Sequence, residues 1–222
     1  MFKPTFAFPV VLATAAGSVD AISFSRLGNA FTSVMTGNLV LFGLAVGRMD
    51  WVSAGRVALA ILMFAFGVIA GSRLAGPAPK GMQGWRQRVT HAVLVELVAL
   101  AVFTVAWEFV ISGAPGAVSF LAISVAAMAM GIQSGAIREV GDPGLSTTYL
   151  TGTLTGAMAA LARGRLPSRN LALLGALVLG AAMEAVLIVF LPQASPLLPL
   201  GLVLVVVGLA YWLRVEHLED RA

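Results

Sequence analysis

Residues 27–47 read LGNAFTSVMTGNLVLFGLAVG, an uncharged run with Thr36-Gly37-Asn38 at its centre. Residues 143–162 read PGLSTTYLTGTLTGAMAALA, again uncharged and centred on Thr151-Gly152-Thr153. Moving the chain by 115 residues lays one run on the other without a gap. Thr32 falls on Thr147, Thr36 on Thr151, Gly37 on Gly152, Leu39 on Leu154, Ala45 on Ala160 and Arg48 on Arg163. Upstream, Ala21-Ile22 falls on Ala136-Ile137. An internal repeat of apolar segments with small polar residues at mid-length predicts a membrane protein with a site near the bilayer centre.

Composition agrees. Only 11% of the 222 residues are charged and 59% are hydrophobic, against about 25% charged in a soluble domain. The mean hydropathy is +0.95, the value of a chain whose solvent is lipid. The net charge of +4 is no nucleic-acid signal, because the basic residues are scattered through short joints between apolar runs. There is no cysteine, so disulfides and thiolate chemistry are excluded. Two histidines, His91 and His217, leave little for a metal site, and no cofactor is expected. The opening, Met1 to Gly17, resembles a signal peptide. Its counterpart at 117–137 makes it a permanent part of the fold.

Eight stretches are long enough to cross the hydrocarbon as helices: about 6–25, 28–47, 54–75, 89–111, 117–137, 143–162, 170–191 and 196–214. Gly, Pro, Asn and Asp punctuate the joints. The one long joint, 76–88, carries Lys80, Arg86 and Arg88, with Trp85 as an interfacial anchor. Four spans separate equivalent positions, so the two copies should run the same way through the membrane, as parallel repeats. The first and fifth segments, which hold several polar residues, are candidates for half-crossings. Sorting Lys and Arg by alternate joints gives eight on the N-terminal side and six opposite, which leaves orientation open.

All fourteen basic residues fall at or beyond the span ends, whereas Asp20, Glu96 and Glu184 fall inside. A charge at the helix centre costs on the order of 2.5–3.5 kcal/mol on insertion scales. Each carboxyl must therefore be protonated, hydrogen-bonded or wet, and a functional reading makes Asp20, Glu96 and Glu184 proton-coupling groups. The Thr-Gly motifs also have two readings. They are either packing stripes at one-turn spacing, or local breaks at Gly37 and Gly152 that present Asn38 and the threonines to a solute. Asn38 is replaced by Thr153 and Asp20 by Gly135 in the second copy, an asymmetry that favours the second reading. Gly67, Gly71, Gly17, Gly175 and Gly180 read as packing faces. Signatures of metalloproteases, serine hydrolases, phosphate loops and dinucleotide folds are absent, so no enzyme is expected.

Gly17-Ser18-Val19-Asp20-Ala21-Ile22-Ser23 followed by Phe31 to Asn38 resembles the opening of the YoaK-like family of bacterial multi-pass membrane proteins. That family is a domain of unknown function whose members are often drawn with about six spans. The resemblance covers nearly the whole chain. It implies a bacterial inner-membrane protein and makes Asp20, Thr36, Gly37 and Asn38 the motif residues; it supplies no substrate.

The expectation is thus an all-α polytopic bundle of two four-helix parallel repeats, residues 1–112 and 113–222. Its expected activity is that of a small-solute transporter, with proton coupling and a cationic or neutral substrate. The expected solute site comprises Asp20, Thr32, Thr36, Gly37, Asn38, Thr147, Thr151, Gly152 and Thr153. The expected partners are the lipid bilayer, the solute and a second copy held through glycine-rich faces, with no nucleic acid and no metal. The rival reading is a non-transporting membrane subunit or sensor that works through helix contacts with a partner protein.

Overall fold

A computed structural model describes residues 4–78, 84–113, 116–140 and 146–219, with side chains over 6–213 of these. Lys3, Lys80, Arg221, the joint residues Ala114-Pro115 and Gly141 to Gly144, and the side chains of Arg214 and His217 lie outside what is described. Among the described residues the chain is entirely helical apart from its joints. The helices are α1 (Pro4–Arg26), α2 (Met35–Gly47), α3 (Trp51–Ala75), α4 (Gln87–Ile111), α5 (Gly116–Arg138), α6 (Leu150–Leu161), α7 (Ser168–Phe190) and α8 (Leu197–Glu219). Lipid offers the backbone no hydrogen bonds, so helices are the only open-chain solution at depth.

Five helices, α1, α3, α4, α5 and α7, are long and apolar enough to cross a membrane, and α8 is apolar over Leu197–Leu213. The eight-span expectation fails at its second and sixth members. With 13 and 12 residues, α2 and α6 are each about 20 Å long, short of the roughly 30 Å needed. The expected half-crossings, the first and fifth segments, are full 23-residue helices. Hydropathy misreads these places because residues 27–34 are uncharged yet not helical.

Side-chain contacts fix the direction of each helix. At one face, hereafter the first, the Arg169 guanidinium lies 4.8 Å from the centre of the Phe6 ring, and Phe8 meets Trp85 edge-on at 4.8 Å. Arg86 there donates to the carbonyls of Gly76 and Glu139. The starts of α1, α4 and α7 and the ends of α3 and α5 therefore share the first face. At the second face Trp107 donates to Pro192 O (2.8 Å), Arg26 to Ile188 O (3.2 Å), and Arg56 adjoins Gly28 while covering Phe120 at 5.1 Å.

The chain thus crosses three times, not four, between α1 and α5. This corrects the expectation of parallel repeats: α1 and α5 run in opposite senses. The short helix α2 begins in the interior and returns to the second face, where α3 starts. Its counterpart α6 begins in the interior and returns to the first face, where α7 starts.

Glycines set the tightest approaches. A Cβ on Gly67 or Gly71 would meet the backbone carbonyls of Met128 and Ile132 on α5, and Gly131 and Gly135 press on α3 in return. Gly17 and Gly180 do the same between α1 and α7. These faces, expected to bind a second copy, are closed within the molecule. Gly175 alone of the expected set has nothing against it. The result encloses α1 and α5 at the centre, with Leu12, Ala16, Val19, Ile123, Ala127 and Met130 fully buried.

Candidate functional site

The site is built by two breaks. After α1, Gly28 and Asn29 both adopt positive φ (91° and 58°), a left-handed pair that ends the helix and turns the chain inward. Ser23 donates to Ala30 O, and Phe24 stacks on Phe31 at 4.6 Å. The descending strand then needs partners for its backbone, since none exist in lipid. Asp20 provides them. Its Oδ1 accepts from Thr32 N (2.7 Å), Thr32 Oγ1 (2.9 Å) and Ser33 N (2.9 Å), and its Oδ2 accepts from Ser33 Oγ. Asn38, fully buried, clasps Phe31 from both ends: Oδ1 accepts from Phe31 N (2.9 Å) and Nδ2 donates to Phe31 O (2.7 Å). Asp20 lies six residues before the end of α1, so α2 begins about 9 Å below that end.

The second break is held differently. Gln133 on α5, fully buried, donates from Nε2 to Leu12 O (3.1 Å) and Thr147 Oγ1 (2.8 Å). Thr148 Oγ1 donates to Ser134 Oγ (2.8 Å), and Tyr149 N to Ser146 Oγ (2.8 Å). Thr153 Oγ1 bonds back to Tyr149 O (3.4 Å), and Asn170 donates to Thr153 O (3.3 Å).

Between the breaks lies a cavity of about 280 Å³, lined in part by Ser33, Val34, Met35 and Thr36 and by Thr148, Tyr149, Leu150 and Thr151. These two quartets are the same four positions of the repeat, and they contain the first turns of α2 and α6. Phe64 and Val68 of α3 and Ser134 and Arg138 of α5 complete the wall. Among the described residues the lining has no carboxylate. Neither half-helix has a side-chain cap; the Met35 amide bonds back to Ser33 O (3.1 Å), and the other first-turn amides of each helix have no acceptor within their own helix. Each terminus also carries about half a positive charge.

Of the expected solute site, Thr36 and Thr151 are brought together here. Asp20, Thr32, Asn38 and Thr147 are bonded within the breaks instead. Gly37 packs toward Phe31 and Val34, and Gly152 toward Tyr149. Thr153 is bonded within α6. Thr36 and Thr151 line the cavity, and Thr32, Asn38 and Thr147 are bonded in the segments beside it. Ser33, Ser134, Arg138, Thr148 and Tyr149 lie outside the solute site expected from sequence. Ser33 and Thr148 match across the repeat, a signal that could have found them; Arg138 reads only as a span-end charge.

The remaining acids stand apart from the cavity. Glu184 on α7 is fully buried; its Oε2 accepts from Ser18 Oγ at 2.6 Å, while Oε1 has no hydrogen-bond partner among the described residues. Glu96 on α4 is fully buried and neither oxygen has a partner among the described residues.

An all-helical, multi-pass membrane protein with two broken segments enclosing a small polar cavity is the class these observations define. Over residues 8–209 the chain matches the family described as a protein of unknown function, DUF1275, and it belongs to that family. It is 37% identical over 144 residues to the UPF0700 transmembrane protein YoaK of Bacillus subtilis (strain 168). The match covers 65% of this chain and 61% of that relative, less than two thirds of its length. No solved structure matches the chain.

Proposed function

We propose that the protein moves a small polar solute, neutral or anionic, across the cell membrane by way of the cavity between the α2 and α6 N-termini. One observation carries this reading: two interior helix starts from opposite halves converge on one cavity that also holds Arg138 and, among the described residues, no acid. Interior half-helix N-termini favour anionic groups and exclude cations. Ser33, Thr36, Ser134, Thr148 and Thr151 supply hydroxyls for a neutral polar group. The cationic substrate expected from sequence is therefore dropped, because two positive helix ends and a guanidinium repel it. A volume of about 280 Å³ lies at the small end of ligand pockets.

The same reading makes residues 1–112 and 113–222 an inverted repeat. In its support, α1 pairs with α7 as α5 pairs with α3, and α4 with α5 as α8 with α1. The two Arg–Phe contacts lie at opposite faces. Six crossings also sort the charges. Eight described basic residues (Arg73, Arg86, Arg88, Arg138, Arg163, Arg165, Arg169 and Arg214) belong to the first face, and three (Arg26, Arg48 and Arg56) to the second. The positive-inside rule then makes the first face cytoplasmic.

The test is uptake into vesicles containing the full chain, with formate, acetate, glycerol and choline as probes. Formate, acetate or glycerol should enter faster than in protein-free vesicles, and choline should not. Arg138→Gln should lower anion entry about 10- to 100-fold, the worth of one charge-assisted hydrogen bond, while glycerol entry is kept. Choline entering fastest, or none of the four exceeding the protein-free rate, overturns the proposal.

A further inference from the structure

Three acids sit inside the bundle, and their surroundings differ in kind. Four donors converge on the two oxygens of Asp20, surroundings that suit a carboxylate. Glu96 has no donor at either oxygen among the described residues, so its surroundings suit the neutral acid. Glu184 is equipped for both. Ser18 Oγ donates to Oε2 at 2.6 Å, which holds the charged form. The Ser195 hydroxyl borders the same carboxyl, and among the described residues Ser195 Oγ and Glu184 Oε1 are both buried without a hydrogen-bond partner. A proton on Oε1 would complete that pair by donating to Ser195 Oγ. Two buried polar atoms without a partner at one carboxyl make a place where a proton can be held.

We infer that Glu184 is the exchangeable proton-binding group of this protein, loaded from the second face through the α7–α8 turn that carries Ser195. On loading, a proton from water forms the Oε1–H bond and that hydroxyl donates to Ser195 Oγ. On release the proton leaves Oε1, and the carboxylate is held through Oε2 by Ser18. Competing charges are few among the described residues. On α1, Asp20 is bonded to Thr32 and Ser33, and Arg26 is bonded to Ile188 O, one turn beyond Glu184. Helix α6, the α7–α8 turn and α8 over Leu197–Leu213 carry none. On α4, Glu108 lies toward the second face and Glu96 lies in the interior.

For its transport arm alone, this inference rests on the solute reading above. The first arm needs no solute: infrared difference spectra of the full chain in lipid vesicles, recorded across a pH titration. A protonated carboxyl band should disappear as pH rises in the wild type, be missing from Glu184→Gln, and titrate unchanged in Glu96→Gln. Ser195→Ala, which leaves the carboxyl in place, should move the midpoint by about one pH unit, the worth of one hydrogen bond. A band that persists in Glu184→Gln, that vanishes in Glu96→Gln, or that ignores Ser195→Ala overturns the proposal. In the second arm, formate-driven proton uptake should be lost in Glu184→Gln while formate exchange between vesicle interior and exterior remains. Retained proton uptake also overturns it. A titrating Glu184 band in a protein that moves none of the four probe solutes refutes the transport reading and leaves the proton site standing.

Discussion

At the residue scale, Asp20 illustrates how a costly group is retained for structure. A carboxylate inside a membrane segment is expensive, but so is an extended strand with free amides at the same depth. Asp20 cancels one cost against the other by accepting from two backbone and two hydroxyl donors. This makes a graded prediction. Asp20→Asn keeps an oxygen for Oδ1's three donors and an amide that Ser33 Oγ can accept from, and should cost about 1 kcal/mol. Asp20→Ala strands the donors of Thr32 and Ser33 and should cost about 3 kcal/mol or more. Thermal unfolding of the purified variants in detergent reads the difference; equal melting temperatures for the two would refute the clasp. The motif around Asp20 was visible in the sequence, but its role was not, because nothing in a linear chain says whether a buried acid faces a solute or its own backbone.

At the element scale, the short helices matter more than the long ones. Residues 27–47 pass every hydropathy criterion for a span, yet Gly28 and Asn29 in left-handed conformations stop α1, and the helix does not resume until Met35. Close packing of the long helices then rests on glycines. Replacing Gly67 or Gly180 with Leu drives a side chain into the backbone of α5 or α1 and should cost about 3 kcal/mol or more, at or above the upper end of overpacking effects. Gly43→Leu on α2 and Gly175→Leu on α7, where nothing lies within 4 Å, should stay within about 0.5 kcal/mol. Melting of the four variants decides the matter; a large loss at Gly43 or Gly175 would mean that those positions are covered in the folded protein.

At the scale of the whole molecule, the number of crossings controls everything above it. Eight crossings place the α2–α3 and α6–α7 turns on the same side of the membrane; six place them on opposite sides. Single cysteines at Met49 and Leu166, each 76% exposed, test this in a chain with no native cysteine. In intact cells a membrane-impermeant thiol reagent should label Met49→Cys and not Leu166→Cys. Labelling of both, or of neither, would refute the six-crossing arrangement, and labelling of Leu166→Cys alone would reverse its orientation. The basic residues illustrate the same dependence. Their identities never changed, but a count that decided nothing under eight crossings divides sharply under six.

Sequence by itself determined the solvent, the helical class and the 115-residue offset that lays Thr36 on Thr151, because composition and periodicity are properties of residues taken in order. Only tertiary structure decided which apolar runs cross, that the two halves run in opposite senses, and which polar residues line the cavity rather than brace it. Those outcomes depend on where a strand's unpaired amides find acceptors, and the acceptors of Thr32 and Ser33 lie on a different helix, at a depth that hydropathy does not encode.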